Sequence, residues 1–202
     1  MGRGSNHHVT KESYRRNWAA YQKKTDPELS PAELLWLEPI LEYPRDAEIL
    51  EIGSGTGRTS DYLDAKGFRV QRTDVSKGFV DLMNSEPLEK PAVLFDLMNP
   101  GNPGKYETII ANAVLLHFTK DEFSEALTNI SDLLQPGGKL FYTLKRGQGE
   151  RTIRDGELLR FFRFWEAEEL DEFFGSEGWS NDSFETEDGL WINGVASKSI
   201  WP

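Results

Sequence analysis

Ile49-Leu50-Glu51-Ile52-Gly53-Ser54-Gly55-Thr56-Gly57-Arg58 is the stretch on which the fold turns. Its apolar start reads as a short buried strand from Ala47 to Ile52, and alternating glycines end that strand where a helix begins. Glycine at a strand-to-helix turn allows positive φ and a close approach of backbone to ligand. The helix that follows presents unpaired N–H groups to a negative or polar group. A phosphate-binding loop would need Gly-x-x-x-x-Gly-Lys, but Ile52 stands five residues before Gly57 and Arg58 replaces the lysine. A dinucleotide fingerprint would need glycine three residues after Gly55, and that residue is again Arg58.

Outward from this turn, strand and helix signals alternate. The helix after the glycines runs to Lys66 and is closed by Gly67. Phe68 to Thr73 reads as a second strand, Ser76 to Asn84 as a helix, Ala92 to Phe95 as a third strand and Tyr106 to Ala111 as a fourth. Thr119-Lys120-Asp121-Glu122 is a capping box that opens a helix to Leu134, stopped by Pro136-Gly137-Gly138. Lys139 to Leu144 is a fifth strand and Glu166 to Phe174 a helix. Ser183 to Glu187 and Leu190 to Ser197 flank Asp188-Gly189 as a hairpin. The pattern predicts an α/β fold: a doubly wound, mostly parallel seven-stranded sheet with a C-terminal antiparallel hairpin and helices on both faces. No linker-like tract interrupts it, so one domain over 1–202 is expected, with a core over 31–198.

Before the core, Tyr14, Trp18 and Tyr21 fall at helical spacing, and Ser30-Pro31-Ala32-Glu33 is a second capping box. Residues 1–30 are therefore expected to form a helical lid or cap. His7 and His8 are expected in a mobile terminus with no role. The first residues carry no apolar secretory core, and no apolar run approaches the roughly 20 residues of a membrane span. This predicts a cytoplasmic protein without a membrane partner. The absence of cysteine removes disulfides, thiolate metal sites and a cysteine nucleophile. A net charge of −11 repels phosphate backbones at long range and counts against nucleic acid.

The glycine turn resembles the first motif of the class I S-adenosylmethionine-dependent methyltransferases, [Asp/Glu]-x-Gly-x-Gly-x-Gly, through Glu51, Gly53, Gly55 and Gly57. Further landmarks fall in that family's order: Asp74 ending the second strand, Asp96-Leu97 after the third, Asn112-Ala113 after the fourth, and Leu133 to Leu140 before the fifth. The resemblance implies S-adenosylmethionine as cofactor and in-line methyl transfer. It implies contacts from Glu51, Gly53, Ser54, Gly55, Gly57, Asp74, Val75, Asp96, Leu97, Asn112 and Ala113. Asp74 would take the ribose hydroxyls, since a carboxylate accepts two hydrogen bonds at once. Asp96 would meet the adenine amine, with Leu97 against the ring.

His117 lies beside the expected methyl-transfer face, and an imidazole can act as a general base near neutrality. No set of acids suited to a metal is identifiable, so none is expected. Asn112 to Leu115 departs from the [Asp/Asn]-Pro-Pro-[Tyr/Phe] pattern of enzymes acting on DNA bases, which points to a small-molecule acceptor. Two segments could hold it: the aromatics Tyr14, Trp18 and Tyr21, and a basic, aromatic loop from Lys145 to Trp165. That loop carries Arg146 and Arg163, suited to an anionic or aromatic molecule. Two alternatives stay open: a non-catalytic S-adenosylmethionine-binding partner protein, and a methyltransferase with a protein or RNA acceptor.

Overall fold

The computed structural model describes residues 6–198; the first five residues of the opening segment lie outside it. The elements, in chain order, are α1 (Asn6–Gln22), α2 (Pro31–Leu37), β1 (Ile49–Glu51), α3 (Arg58–Ala65), β2 (Val70–Asp74), α4 (Lys77–Met83), β3 (Val93–Leu94) and β4 (Tyr106–Ala111). There follow α5 (Lys120–Leu133), β5 (Leu134–Arg146), β6 (Glu150–Asp155), β7 (Leu158–Trp165), α6 (Ala167–Ser176), β8 (Trp179–Glu185) and β9 (Trp191–Lys198). No helix among the described residues is long and apolar enough to cross a membrane.

β3, β2, β1, β4 and β5 are parallel neighbours in that order, and β9 lies antiparallel between β5 and β8. These seven strands are the expected doubly wound sheet with its C-terminal hairpin. Side-chain alternation divides its two faces: Ile109, Ala111, Leu140, Tyr142 and Leu144 join one buried cluster with α5 and α6. Ile49, Val70, Ile110 and Phe141 join the other with α2 and α3. Both capping boxes form as read, Ser30 accepting from the Glu33 amide and Thr119 from the Glu122 amide. A side-chain cap of this kind contributes about 1 kcal/mol to a helix start.

The stretch from Lys145 to Trp165 corrects the expected loop. β5 continues to Arg146, and β6 and β7 form an antiparallel hairpin turned at Asp155, Gly156 and Glu157. β7 joins the sheet only at its end, where Phe164 and Trp165 pair with Lys145 and Arg146. The cause is local: aromatic residues favour the pleated strand, and Asp155-Gly156 supplies a turn in which Gly156 holds φ +61°.

α1 packs against this hairpin through a polar stripe. Thr10 Oγ1 accepts from the Phe161 amide at 2.8 Å, and Ser13 Oγ accepts from the Leu159 amide at 2.8 Å. Asn17 Nδ2 donates to the Glu157 carbonyl at 2.9 Å. Helix positions i, i+3 and i+7 thus meet strand positions two residues apart and satisfy backbone groups on the open edge of β7. The helix kinks at Asn17, whose φ and ψ are −120° and 24°.

Candidate active site

The carboxyl ends of β1 and β4 mark the point where strand order reverses, the usual place for a ligand crevice in an open α/β sheet. A cleft with about 780 Å³ of empty space, its open mouth included, lies there. Its floor is Ile52, Gly53 and Gly55 from the first turn, Asp74 and Val75 after β2, Asp96 and Leu97 after β3, and Asn112 and Ala113 after β4. Its roof is α1, through His7, Thr10, Lys11, Tyr14 and Tyr21.

The first turn is held from below. Thr73 Oγ1 donates to the Glu51 carbonyl at 2.7 Å, and Ser60 Oγ hydrogen-bonds the Glu51 carboxyl. Burial pushes the Glu51 pKa up to about 7, against the hydroxyl hydrogen bonds that pull it down. Glu51, Ser54 and Gly57 do not line the cleft; they brace the turn and the start of α3. Gly53 has φ +66°, and a Cβ there would lie 2.7 Å from Val114 Cγ2. Gly55 has φ +56° with nothing within 4 Å of its Cβ position, so its bare face opens into the cleft.

Asp74 closes this turn. Its Oδ2 accepts from the Gly55 amide at 2.9 Å and its Oδ1 from the Ser76 amide at 2.8 Å. Burial raises its pKa to about 6, opposed by these amides. Each carboxylate oxygen has two lone-pair sites, so one on each remains for a vicinal diol. Asp96 caps its own loop through the Met98 amide at 3.1 Å and pairs with Lys11 from the roof. Ala113 has a positive φ of 55°, uncommon for a residue with a side chain. Its amide donates to Thr143 Oγ1 at 2.8 Å, and that hydroxyl donates to Asn112 Oδ1 at 2.8 Å. Asn112 Nδ2 in turn reaches Glu33 Oε1 at 2.9 Å, and Glu33 is paired with Arg58 at 2.6 Å.

His117 closes the far wall, buried between α1 and β7. A carbonyl can only accept, so the 2.7 Å contact to the Phe161 carbonyl places a proton on Nδ1. The Nε2 lone pair then faces Tyr14 Oη at 3.3 Å, and Arg160 Nη1 donates to that hydroxyl at 3.4 Å. Burial drives the His117 pKa down to about 3, helped by the charges of Arg160 and Lys145. Burial also raises the Tyr14 pKa, so its phenol keeps its proton.

A second cavity, of about 1520 Å³ with its mouth, shares Tyr21, Asn112 and Ala113 with the first. Ser30, Glu33, Leu35, Arg58, Thr143, Phe184 and Trp191 are also on its walls.

The structure thus brings Gly53, Gly55, Asp74, Val75, Asp96, Leu97, Asn112, Ala113, Tyr14, Tyr21 and His117 into one cleft. Trp18 is not on its lining; its ring meets Phe79 at 6.2 Å on α4. Arg146 and Arg163 lie outside both cavities, Arg146 on Glu185 at 2.8 Å and Arg163 on Glu150 and Glu169. Their guanidinium groups are consumed by carboxylates of this chain, which corrects the expectation that they face an acceptor. His7, expected to have no role, lines the cleft with Nδ1 3.0 Å from Glu122 Oε1. Thr10, Lys11, Glu33, Thr143 and Arg160 were not anticipated at the site. The one sequence signal for the first two was a polar stripe running beside the aromatic one on α1. Among the described residues, no group of three or more His, Asp or Glu side chains is arranged to hold a metal ion.

Comparison with known proteins agrees with this geometry. Residues 50–140 match the family described as methyltransferase domain. An uncharacterized methyltransferase of Geobacillus kaustophilus is 32% identical over 115 residues, covering 55% of this chain and 50% of that protein. TehB of Haemophilus influenzae, a probable S-adenosyl-L-methionine-dependent methyltransferase, is 21% identical over 140 residues, covering 63% and 49%. The chain spans about half the length of these curated relatives. Among solved structures, DhpI in complex with SAH superposes with a TM-score of 0.81 at 20% identity, covering 99% of this chain and 100% of that one. The Burkholderia thailandensis 1,6-didemethyltoxoflavin-N1-methyltransferase, with 1,6-didemethyltoxoflavin and S-adenosylhomocysteine bound, gives 0.76 at 18% identity, covering 98% and 92%. Fold and matched domain together identify the chain as a member of the class I S-adenosylmethionine-dependent methyltransferases.

Proposed function

We propose that this chain transfers the methyl group of S-adenosylmethionine to a small-molecule acceptor, at oxygen, nitrogen or carbon, by in-line displacement. The observation that supports this most is the clasp of Asp74 on the Gly55 amide. It sets a buried carboxylate, with accepting capacity to spare, beside a glycine turn whose bare face opens into the cleft. Asp74 would hold the ribose hydroxyls, with Gly53, Gly55 and Val75 beside it. Asp96 and Leu97 would meet the adenine, and Asn112 and Ala113 would stand next to the methyl donor. Glu51, Ser54 and Gly57 would contribute by fixing the turn. When bound, S-adenosylmethionine supplies a methyl group on a sulfonium whose thioether leaves without protonation.

The residues of the chain then have to align the acceptor and exclude water. Alignment alone can supply about 7–11 kcal/mol in well-oriented systems. α1 serves as the cover, and the second cavity, which meets the first at Tyr21, Asn112 and Ala113, serves as the acceptor pocket. A conjugate-acid pKa near 3 means that protonating His117 at pH 7 would cost about 5 kcal/mol. In the closed cleft, His117 therefore acts as a neutral hydrogen-bond acceptor that fixes the Tyr14 hydroxyl. A base role for His117 requires water or an acceptor to enter beside it.

Calorimetry with S-adenosylhomocysteine tests the cofactor site. Asp74→Ala should weaken binding by about 1–3 kcal/mol, the cost of losing buried hydrogen bonds. Unchanged affinity would remove Asp74 from the site. Cofactor binding without methyl transfer to any fraction of a metabolite extract would favour a non-catalytic binding protein instead.

A further inference from the structure

The basic side chains of β5 and β7 divide into two kinds. Arg146 and Arg163 are each held by two carboxylates. Lys145 is not: it is half-buried, and among the described residues no carboxylate oxygen lies within salt-bridge distance of its ammonium group. That group sits 4.4 Å from the ring centroid of Trp191. Arg160 is more enclosed, with its side chain 16% exposed. It reaches Asp155 at 3.4 Å, a carboxylate that Lys24 already holds at 2.6 Å. Its Nε is buried and makes no hydrogen bond. Its guanidinium faces the ring of Phe162 at 5.2 Å and that of Tyr21 at 6.0 Å.

The two cations feel one another. Burial lowers the Lys145 pKa first, and the charge of Arg160 lowers it further. Two like charges partly withdrawn from water, sharing little counter-charge, are costly until an anion joins them. They stand behind Tyr21 and Trp191, both of which line the acceptor pocket, and Tyr21 also lines the cleft. The acids of that pocket are engaged or solvated. Glu33 is paired with Arg58, Glu185 with Arg146, and Glu187 and Asp188 lie on an exposed turn. Water and salt weaken the charges on the rim far more than those inside.

Resting on the methyl-transfer reading above, we infer that the acceptor carries an oxyanion, a carboxylate or a phosphorus oxyacid, anchored between Lys145 and Arg160. Its body lies against Tyr21 and Trp191. Lysine supplies a point charge, and the free Nε of arginine with a neighbouring Nη supplies a fork that fits two oxygens.

The test is calorimetric titration of the protein saturated with S-adenosylhomocysteine. Benzoate and phenylphosphonate serve as anionic probes, and benzamide and benzyl alcohol as neutral counterparts. The anions should bind at least about tenfold more tightly than the neutral probes, and added salt should weaken them. Lys145→Gln and Arg160→Gln should each cost about tenfold or more in anion affinity, and Lys145→Arg should restore most of it. Cofactor affinity should stay level in all three variants, which also reports that they fold. The ratio of phenylphosphonate to benzoate affinity assigns the anion type. Equal binding of neutral and anionic probes, or anion affinity unmoved in both glutamine variants, overturns the inference while leaving the methyl-transfer reading intact. Failure of the wild-type protein to bind S-adenosylhomocysteine overturns both.

Discussion

The indole of Trp18 occupies the space a side chain on Gly78 would need: a Cβ there would fall 2.2 Å from Trp18 Cδ1. Gly78 lies inside α4, where alanine is intrinsically favoured over glycine by about 0.8–1 kcal/mol. Gly78→Ala should therefore leave α4 formed while forcing Trp18, and α1 with it, away from the cleft. The expected result is faster hydrogen exchange and faster proteolysis across residues 6–22, with a raised off-rate for S-adenosylhomocysteine. Unchanged exchange in α1 would mean that the ring swings aside without moving the cover.

Thr10, Ser13 and Asn17 make the same kind of bond to β7 but in different surroundings. Thr10 is buried and Asn17 is not. Thr10→Val keeps the shape and strands the Phe161 amide out of water, which should cost about 1–3 kcal/mol. Asn17→Ala exposes its partner to solvent and should cost roughly 0.5 kcal/mol or less. Denaturant titration, paired with hydrogen exchange of α1 in case the helix detaches separately, measures both. Equal losses would show that the stripe does not act through buried backbone groups.

What was legible in the sequence is what local chemistry dictates. The glycine turn, Asp74 and Asp96 could be placed because each parallel strand ends at the same edge of the sheet. Ser30 and Thr119 could be placed because a capping box lies within four residues. The β6–β7 hairpin was obscured because Arg160 and Arg163 interrupt its apolar alternation, although Asp155-Gly156 marked its turn. The role of Thr10 and Ser13 was hidden for a different reason. They are buried by the need to satisfy an open strand edge distant in sequence, and no periodicity of apolar residues records that need. Arg146 and Arg163 were overvalued because composition shows a charge but not the carboxylate across the fold that consumes it.

Tyr14 hydroxyl to His117 Nε2, with Nδ1–H to the Phe161 carbonyl, fixes one imidazole tautomer. Nitrogen NMR of labelled protein should show a neutral Nδ1–H ring that does not titrate between pH 5 and 8. Tyr14→Phe should shift the Nε2 resonance without protonating the ring, because burial is the larger cause of the depressed pKa. A titration midpoint near 6.5 would show that the cleft admits water freely and would return His117 to contention as a base.

Glu51 gives a prediction whose sign runs against ordinary acid denaturation. Its pKa rises from 4.5 to about 7 on folding, so between those values the native state binds more protons than the unfolded chain. Stability from this group is then full at low pH and falls as pH rises through about 7. His117 runs the other way, since its depressed pKa makes the unfolded state the better proton binder from about pH 3 to 6.5. The contribution of Glu51 must therefore be read as a difference between variants. Glu51→Gln keeps an oxygen to accept from Ser60 and removes the titration. From pH 5 to 8, the wild-type protein should lose about 2 kcal/mol more unfolding free energy than the variant, following the size of the shift. Parallel pH profiles in denaturant titrations would mean that the carboxyl under the glycine turn stays ionised, held by hydrogen bonds from the Ser60, Ser54 and Thr59 side chains that outweigh its burial.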